Sequence, residues 1–229
     1  MPYTQTTVMS KPIVVWGASG HAKVLREFIA SIGYELVATF DNNADVGPPF
    51  SDVPLFHGKQ GFQAWAGEQR ESGVACLVAI GGASGRVRLD IQRYMESQGL
   101  VPAVAVHPTA FVAANATLAK GCQILAQTAV CAEVRMGEAC IINTRASVDH
   151  ESMLGDGVHV APGAVLAGCV TVGDFSMIGA GAIILPRIKI GKDVIVGAGA
   201  VVTRDIPDGK IVYGNPASIQ RDNTEWNNT

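Results

Sequence analysis

The chain has 229 residues, 48% of them hydrophobic, and a formal net charge of −3 with acidic and basic residues mixed along its length. That is enough chain for two modest domains. The charge pattern excludes a nucleic-acid stripe and a polybasic membrane patch, and no apolar run is long enough to span a bilayer.

Met1 to Pro12 lacks the apolar centre of a secretion signal, so residues 1–10 read as a polar, disordered start and the protein as cytoplasmic. Residues 11–104 read as one domain. Ile13-Val14-Val15-Trp16 is a short apolar strand that runs into Gly17-Ala18-Ser19-Gly20-His21. A helix follows with Ala22, Leu25, Phe28, Ile29 and Ile32 on one face, stopped by Gly33. Leu36 to Phe40 reads as a second strand ending at Asp41-Asn42. A Pro/Gly-rich loop leads to a weaker helix over Phe62 to Glu71. Ala75 to Ile80 is a third strand ending in Gly81-Gly82, and Val87, Ile91, Tyr94 and Met95 mark another amphipathic helix. Strands alternating with helices imply an α/β domain of Rossmann type with a small parallel sheet.

Ligands of such a sheet bind at the carboxyl ends of its strands. Those ends carry Ser19, Gly20 and His21, then Asp41 and Asn42, then Gly81. Glycines let backbone amides approach phosphates, and the helix N-terminus adds partial positive charge. Asp41 is placed to accept hydrogen bonds from a base or ribose. The glycine loop is not GxGxxG, so a nucleotide-sugar is expected rather than a dinucleotide.

From Val106 to Val202 every sixth residue is aliphatic, through Ile124, Val130, Ile142, Val148, Val160, Ile178 and Val196. A second column, four residues on, stays small or apolar, and glycine favours the position just after the aliphatic one. This is the hexapeptide signature of a parallel β-helix, expected over residues 105–207 with 208–229 as a tail. Three hexapeptides close one triangular coil, so residues 18 apart stack. Cys122 and Cys140 fall in the small column, and none of the five cysteines forms a CxxC pair. Structural burial is expected for them, with no disulfide and no metal.

His150 lies two places after an aliphatic column residue, where the chain turns a corner, and should point outward. It is flanked by Asp149 and Glu151. A carboxylate beside an imidazole orients the ring and raises its proton affinity, as a general base for acyl transfer requires. Gly168 stacks one coil beyond His150. Thr144, Pro162, Ala180 and Ala198 form another corner column, whose small residues suit a pantetheine arm.

The repeat resembles that of the left-handed β-helix acyltransferases. Residues 11–221 together are similar to bacterial nucleotide-sugar acetyltransferases acting on amino sugars, with sialic-acid O-acetyltransferases as near relatives. The shared marks are Gly17-Ala18-Ser19-Gly20-His21, Asp41, Ile80-Gly81, Ile142-Asn143-Thr144, Asp149-His150-Glu151, His159 and Tyr213-Gly214-Asn215-Pro216-Ala217. The resemblance implies that the β-helix is left-handed, that His150 is the base and that Glu151 tunes it. It also implies that Asn143, His159, Gly168, Ala180 and Ala198 meet acetyl-CoA, and that the enzyme is a homotrimer. Asn42 and Gly82 depart from the family pattern, which bears on base recognition.

The expected reaction is transfer of acetyl from acetyl-CoA to the amine of a UDP- or GDP-linked 4-amino-4,6-dideoxy sugar, by direct attack. O-acetylation of a sugar or sialic-acid hydroxyl would use the same residues. A zinc hydrase would need three histidine ligands, and His107 lies two coils from His150 and His159. A non-catalytic nucleotide-sugar scaffold would not need the Asp149-His150-Glu151 group with His159. The two domains are expected to bind their ligands separately.

Overall fold

The computed structural model describes residues 10–68 and 73–224. The expected disordered start through residue 9, the last residues of the helix drawn to Glu71 and tail residues 225–229 lie outside the described residues.

Strand β1 (Lys11–Trp16) shows the period of two that a strand buried on both faces requires. Ile13 and Val15 enter one core cluster, Val14 and Trp16 another. Helix α1 (Gly20–Ile29) buries Ala22, Leu25, Phe28 and Ile29, and leaves through a short turn at Ala30–Ile32 into Gly33 at φ +85°. Strand β2 (Tyr34–Asp41) follows. The next segment, expected to be loop alone, contributes a strand, β3 (Leu55–His57). Its brevity and weak burial left no alternation to read. Helix α2 (Gly58–Glu68), strand β4 (Ala75–Val78), helix α3 (Gly85–Ser97) and strand β5 (Val101–Pro102) complete the domain.

The sheet is parallel throughout, in the order β3-β2-β1-β4-β5. After β1 the chain builds outward to β2 and β3, then returns to lay β4 on the other side of β1. That reversal opens a crevice between the carboxyl ends of β1 and β4. Trp16, Phe40, Phe62 and Trp65 pack together on one side of the sheet, with Tyr94 edge-on to Trp16 at 5.9 Å.

From Ala105 onward two-residue strands build three faces of a triangular coil. The first face contains Gln123–Ile124, Ile141–Ile142, His159–Val160, Met177–Ile178 and Ile195–Val196. The second contains Phe111–Val112, Ser147–Val148, Val165–Leu166 and Ile183–Ile184, and the third Arg135–Met136, Met153–Leu154, Thr171–Val172 and Lys189–Ile190. Up to Val202 the strands pair in parallel 18 residues apart, as in Ile141 with His159 and Ser147 with Val165, and the last coil shortens this to 16, with Ile195 on Ile211. The aliphatic column fills the interior.

From Gly121 to Gly199 every corner is turned by one residue with left-handed backbone, three positions after the aliphatic one. Gln127, Glu133, Arg145, Glu151, Cys169 and Arg187 all hold φ between 57° and 65° there. Glycine at the neighbouring column answers a different need. A Cβ on Gly137 would stand 2.7 Å from the Asp156 amide of the next coil.

The amino-terminal domain docks on the first face of the β-helix. Ala105, Leu125 and Ile141 join Ile13, Val15 and Leu77 in one apolar cluster, so the two domains share a core instead of standing apart. Arg88 of α3 is wholly buried in the joint and donates to the carbonyls of Ile80, Ala139 and Gly157, each at 2.7 Å. Burial pushes its pKa down to about 10. Arg86 pairs with Asp193 at 2.7 Å and Lys120 with Glu96 at 2.5 Å.

Candidate functional site

The crevice at the switch point has a volume of about 200 Å³ and is lined by Trp16, Gly17, Ser19, His21, Asp41, Asn42, Ala79, Ile80 and Gly81. Five of the six residues expected to hold a nucleotide-sugar are among them, and the sixth, Gly20, lies between Ser19 and His21 at the start of α1. Gly17 makes the turn possible, since its φ is +113° and a Cβ would meet the Ala79 carbonyl oxygen at 2.5 Å. Above Gly20, at the start of α1, nothing lies within 4 Å of where a Cβ would be. Asp41 has a second task beside facing the crevice. Its carboxylate accepts from the Ala18 amide at 2.8 Å and the Asn43 amide at 2.9 Å, tying the first two loops together.

Two histidines join this crevice to the β-helix. Gln123 donates its amide to the Val78 carbonyl at 2.8 Å, leaving its oxygen to accept from His21 Nε2 at 2.7 Å. The His21 Nδ1 lone pair therefore remains for the crevice. Burial lowers the His21 pKa. His159 is 5% exposed. Its Nδ1 donates to the Gly82 carbonyl, and its Nε2 accepts from Asn143 Nδ2, both at 3.2 Å. Burial pushes its pKa down to about 4, helped by the Arg88 charge. Asn143 in turn accepts from the Thr144 amide at 2.8 Å. A hydrogen-bonded path thus runs from the Gly81-Gly82 loop to the corner column of Thr144, Ala180 and Ala198.

Sequence reasoning missed Gln123 and Arg88. Each carried a faint signal. Gln123 occupies an outward position stacked on Ile141, and Arg88 falls on the buried stripe of α3 with Ile91 and Met95.

His150 stands at the corner between the second and third faces, exposed as expected. Glu151 accepts from its Nδ1 at 3.0 Å, and Asp149 accepts from its backbone amide at 2.8 Å. Nε2 is turned toward Gly168, where a Cβ would be only 2.4 Å from it. The Ala167 and Cys169 amides bond Ile184 and His150 carbonyls at 3.0 and 2.8 Å, whereas the Gly168 amide donates to no group among the described residues. It is free for a ligand oxygen. Cys131 and Cys169 flank this corner. Neither is fully buried, which corrects the expectation of structural burial for these two. Cys131, stacked with Asp149, and Cys169, stacked with Glu151, occupy two different outward columns, while Cys122 and Cys140 point inward.

The residues expected to hold one acetyl-CoA fall into two groups. Asn143, Ala180 and Ala198 lie at the corner between the first and second faces, and Ala180 and Ala198 are exposed there. Gly168 shares the His150 corner, across the full width of the second face. His159 belongs to the domain joint and, through its hydrogen bond with Asn143, to the first group. One chain does not bring these residues together.

Comparison with known proteins follows the same division. Residues 12–94 match the family model of the PglD N-terminal domain, and residues 169–204 match that of the bacterial transferase hexapeptide (six repeats). A histidine-to-alanine variant of GDP-perosamine N-acetyltransferase from Caulobacter crescentus, solved with CoA and GDP-perosamine, superposes with a TM-score of 0.84 at 36% identity, over 92% of this chain and 97% of that one. The acetyltransferase domain of PglB from Neisseria gonorrhoeae, solved with acetyl coenzyme A, gives 0.82 at 33% identity, over 92% and 100%. WeeI from Acinetobacter baumannii gives 0.79 at 27% identity, over 92% and 100%. No curated protein matches the chain in sequence. The left-handed β-helix and Rossmann-like domain are common to this chain and these neighbours.

Proposed function

Because the chain belongs to the nucleotide-sugar N-acetyltransferases of the left-handed β-helix superfamily, we propose that it acetylates the amine of a nucleotide-linked 4-amino-4,6-dideoxy sugar with acetyl-CoA. The observation that carries the mechanism is the His150 corner. Glu151 accepts the Nδ1 proton, which leaves the Nε2 lone pair facing Gly168. Nε2 takes the proton from the attacking amine, and the Gly168 amide donates to the oxyanion of the tetrahedral intermediate. The amine attacks the thioester carbon directly, and CoA thiolate leaves. Ser19, Gly20, His21, Asp41, Asn42 and Gly81 hold the nucleotide-sugar, with the start of α1 toward the diphosphate.

We place the working site between two copies of the chain. The crevice lies on the first-face side, whereas His150 stands at the opposite corner of the triangle. A second copy joined through the second face would bring its own His150 and Gly168 to the Asn143, Ala180 and Ala198 corner. That face is suited to such contact, since Phe111 is 60% exposed, Ile183 41% and Val165 39%. A closed ring of three copies completes every site once. Among the described residues no helix is long and apolar enough to cross a membrane, and all five cysteines are free. Free thiols fit the cytoplasm, where nucleotide-sugars for glycan assembly are made.

The test is acetyl transfer to UDP- and GDP-linked amino sugars, with hydroxyl acceptors and free sialic acid alongside. His150→Ala should lower kcat by roughly 10²–10⁴-fold, the usual contribution of a general base. Near wild-type turnover by this variant would remove His150 from the mechanism. Faster transfer to a hydroxyl acceptor would make the enzyme an O-acetyltransferase.

A further inference from the structure

Cys169 stacks on Glu151 one coil below, with its Sγ 3.7 Å from the Glu151 carboxylate oxygen that also accepts from His150 Nδ1 at 3.0 Å. One donor atom from each of the three residues lies within 4.8 Å of the others. Ligands on two corners of a tetrahedral zinc ion, at bond lengths of about 2.0–2.3 Å, are separated by about 3.3–3.6 Å. Imidazole nitrogen, thiolate sulfur and carboxylate oxygen are the donors that a borderline-soft cation takes. The three side chains are also partly or fully open to solvent, which leaves room for a water as fourth ligand. Magnesium and calcium, which take oxygen donors, find only one here.

We propose that His150, Glu151 and Cys169 form a binding site for Zn²⁺ or a similar cation, whose occupation switches the enzyme off. The ion is an inhibitor and has no part in acetyl transfer. On binding, the Cys169 thiol releases its proton to solvent and forms the sulfur–metal bond. Nδ1 of His150 gives its lone pair to the ion, and the single ring proton of neutral imidazole then resides on Nε2. The nitrogen facing Gly168 becomes a donor and can no longer accept the amine proton. Glu151 exchanges its hydrogen bond to the ring for a bond to the metal. The switch, though not the metal site itself, rests on His150 being the base.

Cys169 takes no part in the proposed reaction, so Cys169→Ser should retain basal turnover. Cys131, beside Asp149 one coil earlier, provides the control. Initial rates of radiolabelled acetyl transfer are measured with Zn²⁺, with Mg²⁺ and after EDTA, for the wild type, Cys169→Ser and Cys131→Ser. Saturating Zn²⁺ should lower wild-type and Cys131→Ser rates by roughly 10²–10⁴-fold, the contribution of the lost base. EDTA should restore them, Mg²⁺ should do nothing, and Cys169→Ser should stay active at the same Zn²⁺ concentration. Co²⁺ supplies a second readout, a thiolate-to-metal charge-transfer band that Cys169→Ser should lack. Absence of that band from the wild type, or equal zinc inhibition of Cys169→Ser, would overturn the site. A band that disappears in Cys169→Ser but is accompanied by full activity would leave the metal site standing and overturn both the switch and His150 as the base.

Discussion

The imidazole of His150 lies against Gly168 so closely that a Cβ there would come within 2.4 Å of Nε2 and 2.6 Å of Cε1. The atom displaced is the far end of an exposed side chain, so Gly168→Ala should fold normally. His150 would have to swing away, or the methyl would fill the space where thioester and base meet. Loss of turnover of roughly 10²-fold or more is expected, comparable with removing the base itself. Circular dichroism melting should show little change. A Gly168→Ala enzyme with full kcat would mean that the reacting carbonyl never approaches this corner.

Gly20 presents the opposite situation, with open space where its Cβ would be and a helical backbone that any residue adopts. Gly20→Val is therefore expected to fold, and to fill the space through which a phosphate reaches the start of α1. Hydrogen bonds to a charged group contribute about 1.5–3 kcal/mol, so KM for the nucleotide-sugar should rise roughly ten-fold or more. The Kd for acetyl-CoA should change little, because Ala180 and Ala198 lie on another surface. Calorimetry with each ligand separates the two. Lost acetyl-CoA binding with intact nucleotide-sugar binding would reverse the assignment of the two sites.

The strict period of six made the β-helix, its interior and its stacking legible, because one repeated register fixes the place of every side chain. The same arithmetic placed Gly168 over His150. The crevice at the switch point was legible as well, since Gly17, Asp41 and Gly81 follow strands that alternate with helices. Contacts between domains were not. His159 sits in an outward position of a strand, and only the docking of the Gly81-Gly82 loop makes that position interior. Arg88 and Gln123 satisfy carbonyls that become buried by the same docking. Such partners are distant in sequence and follow no period. Nor does periodicity within one chain tell whether the residues proposed for acetyl-CoA, which lie at two corners, meet across a second copy.

His159 makes the stability of the joint depend on pH. Its native pKa is about 4, against an ordinary value of 6.5. The folded protein thus holds this ring neutral, while the unfolded chain takes up a proton below 6.5. Stability is present in full above that value and is lost as pH falls toward 4, below which this contribution flattens. The shift corresponds to about 3 kcal/mol at most. Lowered by burial, His21 acts in the same direction. Denaturant unfolding between pH 7 and pH 4 should show the decline, and His159→Gln should show a shallower one. Equal slopes for the two proteins would mean that His159 protonates freely in the folded state.

The separation of His150 from the crevice leads to a test that does not depend on any single residue's chemistry. His150→Ala lacks the base but keeps an intact crevice, whereas Gly20→Val keeps the base and lacks the crevice. If one chain supplied both parts of a site, mixing the two variants would restore nothing. If neighbouring copies supply them, a site works whenever an intact base from one meets an intact crevice from the next. In trimers assembled at random from equal amounts, each condition holds for half the copies, so about a quarter of all sites, and about one in three within mixed trimers, should recover. Co-expression under two affinity tags allows mixed trimers to be purified and compared with the parents at subsaturating nucleotide-sugar. Activity no higher than the parents' in verified mixed trimers would place base and crevice in the same chain, and would require the amino-terminal domain to leave the face on which it is docked here.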